Sequence, residues 1–221
     1  MNPQYLLLIP LAYIIGSFSG AISLGKLFYG VDVRDYGSKN PGANNVQRVL
    51  GWQPALFVFV FDILKGVAAV SLVRLTSLEQ GTNLYVITQI VLGTASVAGH
   101  IFPLFFGFKG GKGVATLTGV LWAIHPPAVL ICFSVFLVAF AITRYVSFSA
   151  IIGITLFPFF VNLIFGEFGQ EGVTITLRLF SIAVAVIIWL THLSNIKRII
   201  SGTEEKFRLK RADTSLRRKI L

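Results

Sequence analysis

Apolar residues recur in this chain in runs long enough to cross a bilayer. A helix rises about 1.5 Å per residue, so roughly 20 mainly apolar residues span a hydrocarbon core of about 30 Å. Such runs fall near residues 4–28, 54–75, 84–106, 146–166 and 176–196. The stretch from Gly113 to Thr143 is long for one span, and His125-Pro126-Pro127 interrupts it. Proline lacks a backbone donor and disfavours helix in the residue before it. The stretch therefore divides into a short helix near 113–124 and a second helix near 126–142. The expected fold is all-α: a polytopic membrane protein with seven transmembrane segments, one of them short. Residues 1–200 form one helical domain, and 201–221 a basic tail. Interrupted helix at membrane depth is tolerated only where protein or a watery cavity covers it, so the short helix points to a site.

Charge supplies orientation. No Lys or Arg precedes Lys26, so the first segment lacks the positive start of a cleavable signal peptide. With seven segments, 16 of the 19 Lys and Arg fall on one side, and only Arg74 and Arg178 on the other. The positive-inside rule then places the N-terminus outside and the basic tail in the cytoplasm. The net charge of +10 belongs to membrane topology and lipid headgroups rather than to nucleic acid, because no nucleic-acid motif accompanies it. Charged residues make up 13% of the chain, about half the share of a soluble domain. Cys132 is the single cysteine, which excludes an internal disulfide framework and a Cys-rich zinc site.

Four regions on the cytoplasmic side carry hydrogen-bond donors. The loop VDVRDYGSKNPGANNVQRVLG (31–51) combines Gly37 and Gly42 with Ser38, Asn40, Asn45, Lys39 and Arg48. Glycines let backbone amides approach an anion, and hydroxyl, amide and guanidinium groups complete a ring of donors. About 20 residues is long for a simple connection, and the valines among them suggest packing. In GHIFPLFFGFKGGKGVAT (99–116), Lys109-Gly110-Gly111-Lys112-Gly113 leads directly into the short helix. Glycine amides at a helix N-terminus beside two ammonium groups suit a phosphate. Gly113 follows Lys112 where a Walker A loop has Ser or Thr, so ATP is not the expected ligand. Arg144 and Ser147 lie in RYVS at a span boundary, and His192 and Asn195, three apart on one helix face, end the last span. These carriers are cationic or neutral. No Asp/Glu/His cluster has metal-ligand spacing, so neither a metal nor a cofactor is expected.

Asp62 and Lys65 sit inside the second span with i,i+3 spacing. They read as a structural ion pair rather than a proton relay, because charges within a membrane are expensive unless paired. Gly16 and Gly20 read as a close helix-packing face.

At GSKNPGANNVQR (37–48), GHIFPLFFGFKGGKGVAT (99–116), RYVS (144–147) and HLSNIKRIISGTEEKF (192–207), with DILKG (62–66) between, the chain resembles the PlsY family. These are the bacterial integral-membrane acyl-phosphate:glycerol-3-phosphate acyltransferases. Asn44 stands where the family usually has threonine, and Leu193 where it has arginine. The resemblance implies acyl transfer from acyl phosphate to the 1-position of sn-glycerol 3-phosphate, in the bacterial cytoplasmic (inner) membrane. Its products are lysophosphatidate and phosphate, and a functional link to the enzyme that makes acyl phosphate follows. Ser38, Arg48 and Lys112 would grip phosphate, assisted by the amides from Gly110 to Gly113, while His192 and Asn195 would orient glycerol phosphate. Glu204 is assigned to structure, pairing a basic residue near Arg198 or capping a helix end. His192 and the donor phosphate are both open as acceptors of the hydroxyl proton, and the lack of a well-placed carboxylate favours the phosphate. The competing class is a small phosphate-anion transporter or headgroup translocator. Binding groups crowded on one face, rather than at the midplane, argue against it.

Overall fold

The computed structural model describes residues 3–165 and 173–207; residues 208–221 of the expected tail lie outside them. Among the described residues every regular element is a helix, because in lipid each backbone N–H needs a carbonyl within its own segment. Four helices are long and apolar enough to cross a membrane: Trp52–Leu75, Asn83–Phe106, Pro126–Thr143 and Val146–Phe165. Two bent pairs raise the number to as many as six. They are Tyr5–Ser17 with Gly20–Tyr29, turning by 42°, and Ile175–Thr191 with Leu193–Ile200, turning by 56°. The short apolar helix Val114–Ile124 completes the set. All seven expected segments are helical, and the first and last are broken.

The breaks have local causes. Between α1 (Leu8–Ser17) and α2 (Gly20–Tyr29), Phe18 and Ser19 are extended, and the Ser19 hydroxyl caps α2 by accepting from the Ile22 amide. Between α6 (Val114–Ile124) and α7 (Pro126–Thr143), His125 Nδ1 accepts from the Ala128 amide at 3.2 Å. Pro126, which needs no donor partner, starts α7. The remaining helices are α3 (Ala43–Leu50), α4 (Trp52–Ser71), α5 (Asn83–Ile101), α8 (Val146–Phe159), α9 (Ile175–Thr191) and α10 (Leu193–Ile200).

Two compact units result. The first lies within Met1–Thr76 and Val91–Ala123, the second within Ser77–Ile90 and Ile124–Arg208. In the first, α1 meets α5 and α4 meets α6 through glycines. A methyl group on Gly16 or Gly99 would overlap the backbone of the facing helix, and the same holds for Gly66 and Gly119. The expected Gly16–Gly20 face therefore serves two partners: Gly16 packs on Ser96, and Gly20, beyond the break, on the Phe61 ring. In the second unit the Trp189 indole donates to Thr155 Oγ1 at 2.8 Å, joining α9 to α8. Glu204 and Phe207, within the stretch expected as tail, are hydrogen-bonded into this unit.

Candidate active site

In the first unit, the long loop folds upon itself. Val33, Val46, Val49 and Leu50 are buried with Ala21, Ala55 and Val58, so the loop is seated on α2 and α4 rather than solvated. Its shape comes from Asn45, which is 1% exposed. Its Nδ2 donates to the carbonyls of Val33 at 2.7 Å and Tyr36 at 3.2 Å, and its Oδ1 accepts from the Ser38 amide at 2.8 Å. Both amide hydrogens are engaged by the loop's own backbone. Asn45 thus shapes the loop, in place of the phosphate contact expected of it. Gly37, with φ +57°, makes the turn beneath it. Gly42 caps α3, and Ser38, Lys39 and Arg48 stay exposed, with Asn40 half-buried.

The glycine–lysine loop turns back along the end of α5. The amide of Gly110 donates to the Ile101 carbonyl at 3.0 Å, and that of Gly111 to the His100 carbonyl at 3.2 Å. These two expected phosphate donors are therefore already used in the turn, and the role of their glycines is close backbone approach. Lys109 is exposed, Lys112 half-buried and Gly113 buried at the start of α6. Arg34, which sequence reasoning treated only as a topogenic charge, ties this loop to the first. Its Nη1 donates to the Phe106 carbonyl at 2.8 Å and to that of Lys109 at 3.4 Å, while Nε and Nη2 grip Asp32. Arg34's hydrogen bonds hold the Asp32 carboxyl far below its usual range, against the opposing effect of burial, and Lys26 adds to the shift. Asp32 in turn raises the Arg34 guanidinium. With its charge matched by Asp32, Arg34 acts as a tether.

Beneath these loops lies the expected ion pair. Lys65 Nζ is 2.8 Å from Asp62 Oδ1, off the line of a hydrogen bond, so Oδ1 has a charge partner and no donor. Lys65 donates instead to the Phe18 carbonyl at 2.9 Å, at the helix break. The sequence reading missed the third member, His100. Its Nδ1 lies 3.6 Å from Asp62 Oδ1 and 3.1 Å from Thr116 Oγ1. An imidazole ending an apolar run was the available signal.

In the second unit the centre is Glu204. Ser147 Oγ and Asn195 Nδ2 donate to its Oε1 at 2.6 and 3.0 Å, and Arg198 Nε to Oε2 at 2.6 Å. Ser147, expected to meet phosphate, directs its only hydrogen to Glu204 instead. Burial alone would raise the Glu204 carboxyl, but these three hydrogen bonds and the Arg198 charge outweigh it and hold it below its ordinary value. Arg144 ends α7 with φ +59°, and its carbonyl accepts from the Phe207 amide at 2.8 Å. Its side chain is exposed. His192 sits at the bend between α9 and α10, 5% exposed. Its Nδ1 is 2.9 Å from the Ile188 carbonyl. A carbonyl can only accept, so Nδ1 carries the hydrogen and the basic lone pair of neutral His192 is on Nε2. A backbone group thus fixes the tautomer, although no acidic residue adjoins His192 in sequence.

Among the described residues no group of three His, Cys, Asp or Glu could hold a metal ion. The glycerol-3-phosphate acyltransferase family model matches residues 6–202. Glycerol-3-phosphate acyltransferase 2 of Bacillus anthracis is 45% identical over 197 residues, covering 89% of this chain and 95% of that protein. The Chlorobaculum tepidum glycerol-3-phosphate acyltransferase is 39% identical, covering 91% and 96%. Two crystal structures of PlsY, an integral membrane glycerol 3-phosphate acyltransferase, share the fold. Its glycerol 3-phosphate form aligns with a TM-score of 0.77 at 36% identity, and its lysophosphatidic acid form with 0.73 at 34%. Each alignment covers 93% of this chain and 96% of the other. The chain belongs to the glycerol-3-phosphate acyltransferase family.

Proposed function

We propose that this integral membrane protein transfers an acyl chain from acyl phosphate to the 1-hydroxyl of sn-glycerol 3-phosphate. The observation that carries this reading is the pair of PlsY structures, in glycerol 3-phosphate and lysophosphatidic acid forms, alike over 93% of the chain. The two ligands are an acceptor and its monoacylated product. In the step, the hydroxyl oxygen bonds to the acyl carbonyl carbon, the bond from that carbon to the phosphate oxygen breaks, and the proton ends on the departing phosphate. Acyl phosphate already has a good leaving group, so no covalent enzyme intermediate is needed. The enzyme's task is positioning and screening of two phosphates.

Ser38, Arg48 and Lys112 grip phosphate, and Lys109 adds positive charge. Asn195 and His192 orient glycerol phosphate. Donor phosphate takes the proton, which is the form in which inorganic phosphate leaves. Seven crossings with the N-terminus outside follow from the basic-residue asymmetry, and the bacterial inner membrane from the family resemblance. The enzyme that makes acyl phosphate is the functional partner. The test supplies purified protein in detergent with acyl phosphate, acyl-CoA and acyl carrier protein separately. Lysophosphatidate should form from acyl phosphate alone. Formation from acyl-CoA instead would overturn the donor, and uptake of glycerol phosphate into vesicles without acylation would favour a transporter.

A further inference from the structure

We propose that His100 is a positioning residue that holds the 109–113 loop in its anion-binding shape; this rests on the reading that Lys112 grips substrate phosphate. His100 is 5% exposed and touches the loop twice. Its carbonyl accepts the Gly111 amide, and its ring lies against the Gly111 Cα. A methyl group built on Gly111 would overlap His100 Nε2 and come within 2.9 Å of the Pro41 carbonyl. Gly111 is thus where the first loop, the second loop and the imidazole meet, one residue before Lys112.

The ring is held from its other edge. Thr116 Oγ1, at the start of α6, is 3.1 Å from Nδ1, and Asp62 Oδ1 of α4 is 3.6 Å away. Neutrality does not require the imidazole, because Lys65 already balances Asp62 at 2.8 Å. What His100 adds is a rigid surface under Gly111, oriented by two other helices. The loop cannot supply this itself, since its glycines carry no side chain to lock it. A loop that shifts by about 1 Å carries Lys112 out of register with the phosphate, a misplacement that can cost up to about 100-fold in kcat/KM.

The test is a double-mutant cycle in purified enzyme with glycerol 3-phosphate and acyl phosphate. His100→Ala should raise KM for glycerol 3-phosphate about tenfold and leave most of kcat. Gly111→Ala should be worse, because its methyl meets both the ring and the Pro41 carbonyl. In the His100→Ala background, where the ring is gone, Gly111→Ala should add less than it does alone, the remaining cost being the contact with the Pro41 carbonyl. Thr116→Val, which keeps the shape and removes the hydroxyl, should raise the same KM about fivefold, as one lost neutral hydrogen bond does; it serves if His100→Ala does not fold. Additive effects in the cycle, or an unchanged KM in His100→Ala and Thr116→Val, would overturn the proposal. Lys112→Ala separates the two ideas. A full loss there with no effect at His100 rejects only the positioning role, whereas wild-type kinetics in Lys112→Ala rejects the phosphate-loop reading beneath it.

Discussion

Glu204→Gln preserves shape and removes charge at the one carboxylate on which Ser147, Asn195 and Arg198 converge. If the glutamine oxygen takes the place of Oε1, the bonds from Ser147 and Asn195 survive, but the new amide faces Arg198 donor to donor. If it flips, Arg198 is satisfied, Ser147 must turn to accept from the amide, and Asn195 faces it donor to donor. A hydrogen bond to a charged group contributes about 1.5–3 kcal/mol. The Glu204 side chain is 3% exposed but that of Arg198 is 45% exposed, so water recovers part of the loss and the low end applies to that pair. Adding the weakening of the surviving bonds gives a destabilisation of about 2–3 kcal/mol. In a chain of this size each kcal/mol lowers Tm by roughly 2–4 °C, so a drop of about 5–10 °C is expected. Cys132, the only cysteine and 7% exposed, lies in the same unit, so a fluorogenic thiol dye reports the unfolding in detergent. The folded carboxyl is held below its ordinary value, so its stabilisation is present above that value and lost as pH falls through the lowered one. The gap between variant and wild type should therefore be widest at neutral pH and close in acid. Melting within about 1 °C of wild type at neutral pH would refute the reasoning.

Three further outcomes are expected. Lys112→Ala should lower the rate by about 10²–10³ through loss of a phosphate partner in a water-poor site, while Lys39→Ala should change it little; equal losses would assign the effect to general surface charge. Arg34→Gln should release the Phe106 and Lys109 carbonyls and raise KM for glycerol 3-phosphate about tenfold, and an unchanged KM would deny the tether. His192→Gln should raise that KM and retain part of kcat; a kcat loss of about 10³ with KM unchanged would instead make His192 the general base.

The helices were largely legible, and so was the break at His125-Pro126-Pro127, because both depend on neighbours in sequence. Apolar runs are helical in lipid whatever surrounds them, and His125-Pro126-Pro127 ends a helix through missing donors and steric clash. The break at Phe18–Ser19 was not legible, since a serine in an apolar run is equally able to bond back within a helix. The residue types gathered around the loops were likewise readable, down to the Asp62–Lys65 pair, whose i,i+3 spacing is itself local.

What the sequence alone determined was therefore an all-helical membrane chain with loops rich in hydrogen-bond donors. Which donors face a ligand was decided only by tertiary structure. Asn45 and the amides of Gly110 and Gly111 look like phosphate contacts in a string of donors, yet each finds a carbonyl or amide within its own fold. Ser147 looks the same and is taken by Glu204, 57 residues away. Arg34 reaches the second loop 72 residues on, and His100 reaches Thr116 and Asp62 across two helices. A polar group's role depends on which partner lies within reach in the folded chain, and that is set by distance in space, which spacing along the chain does not encode.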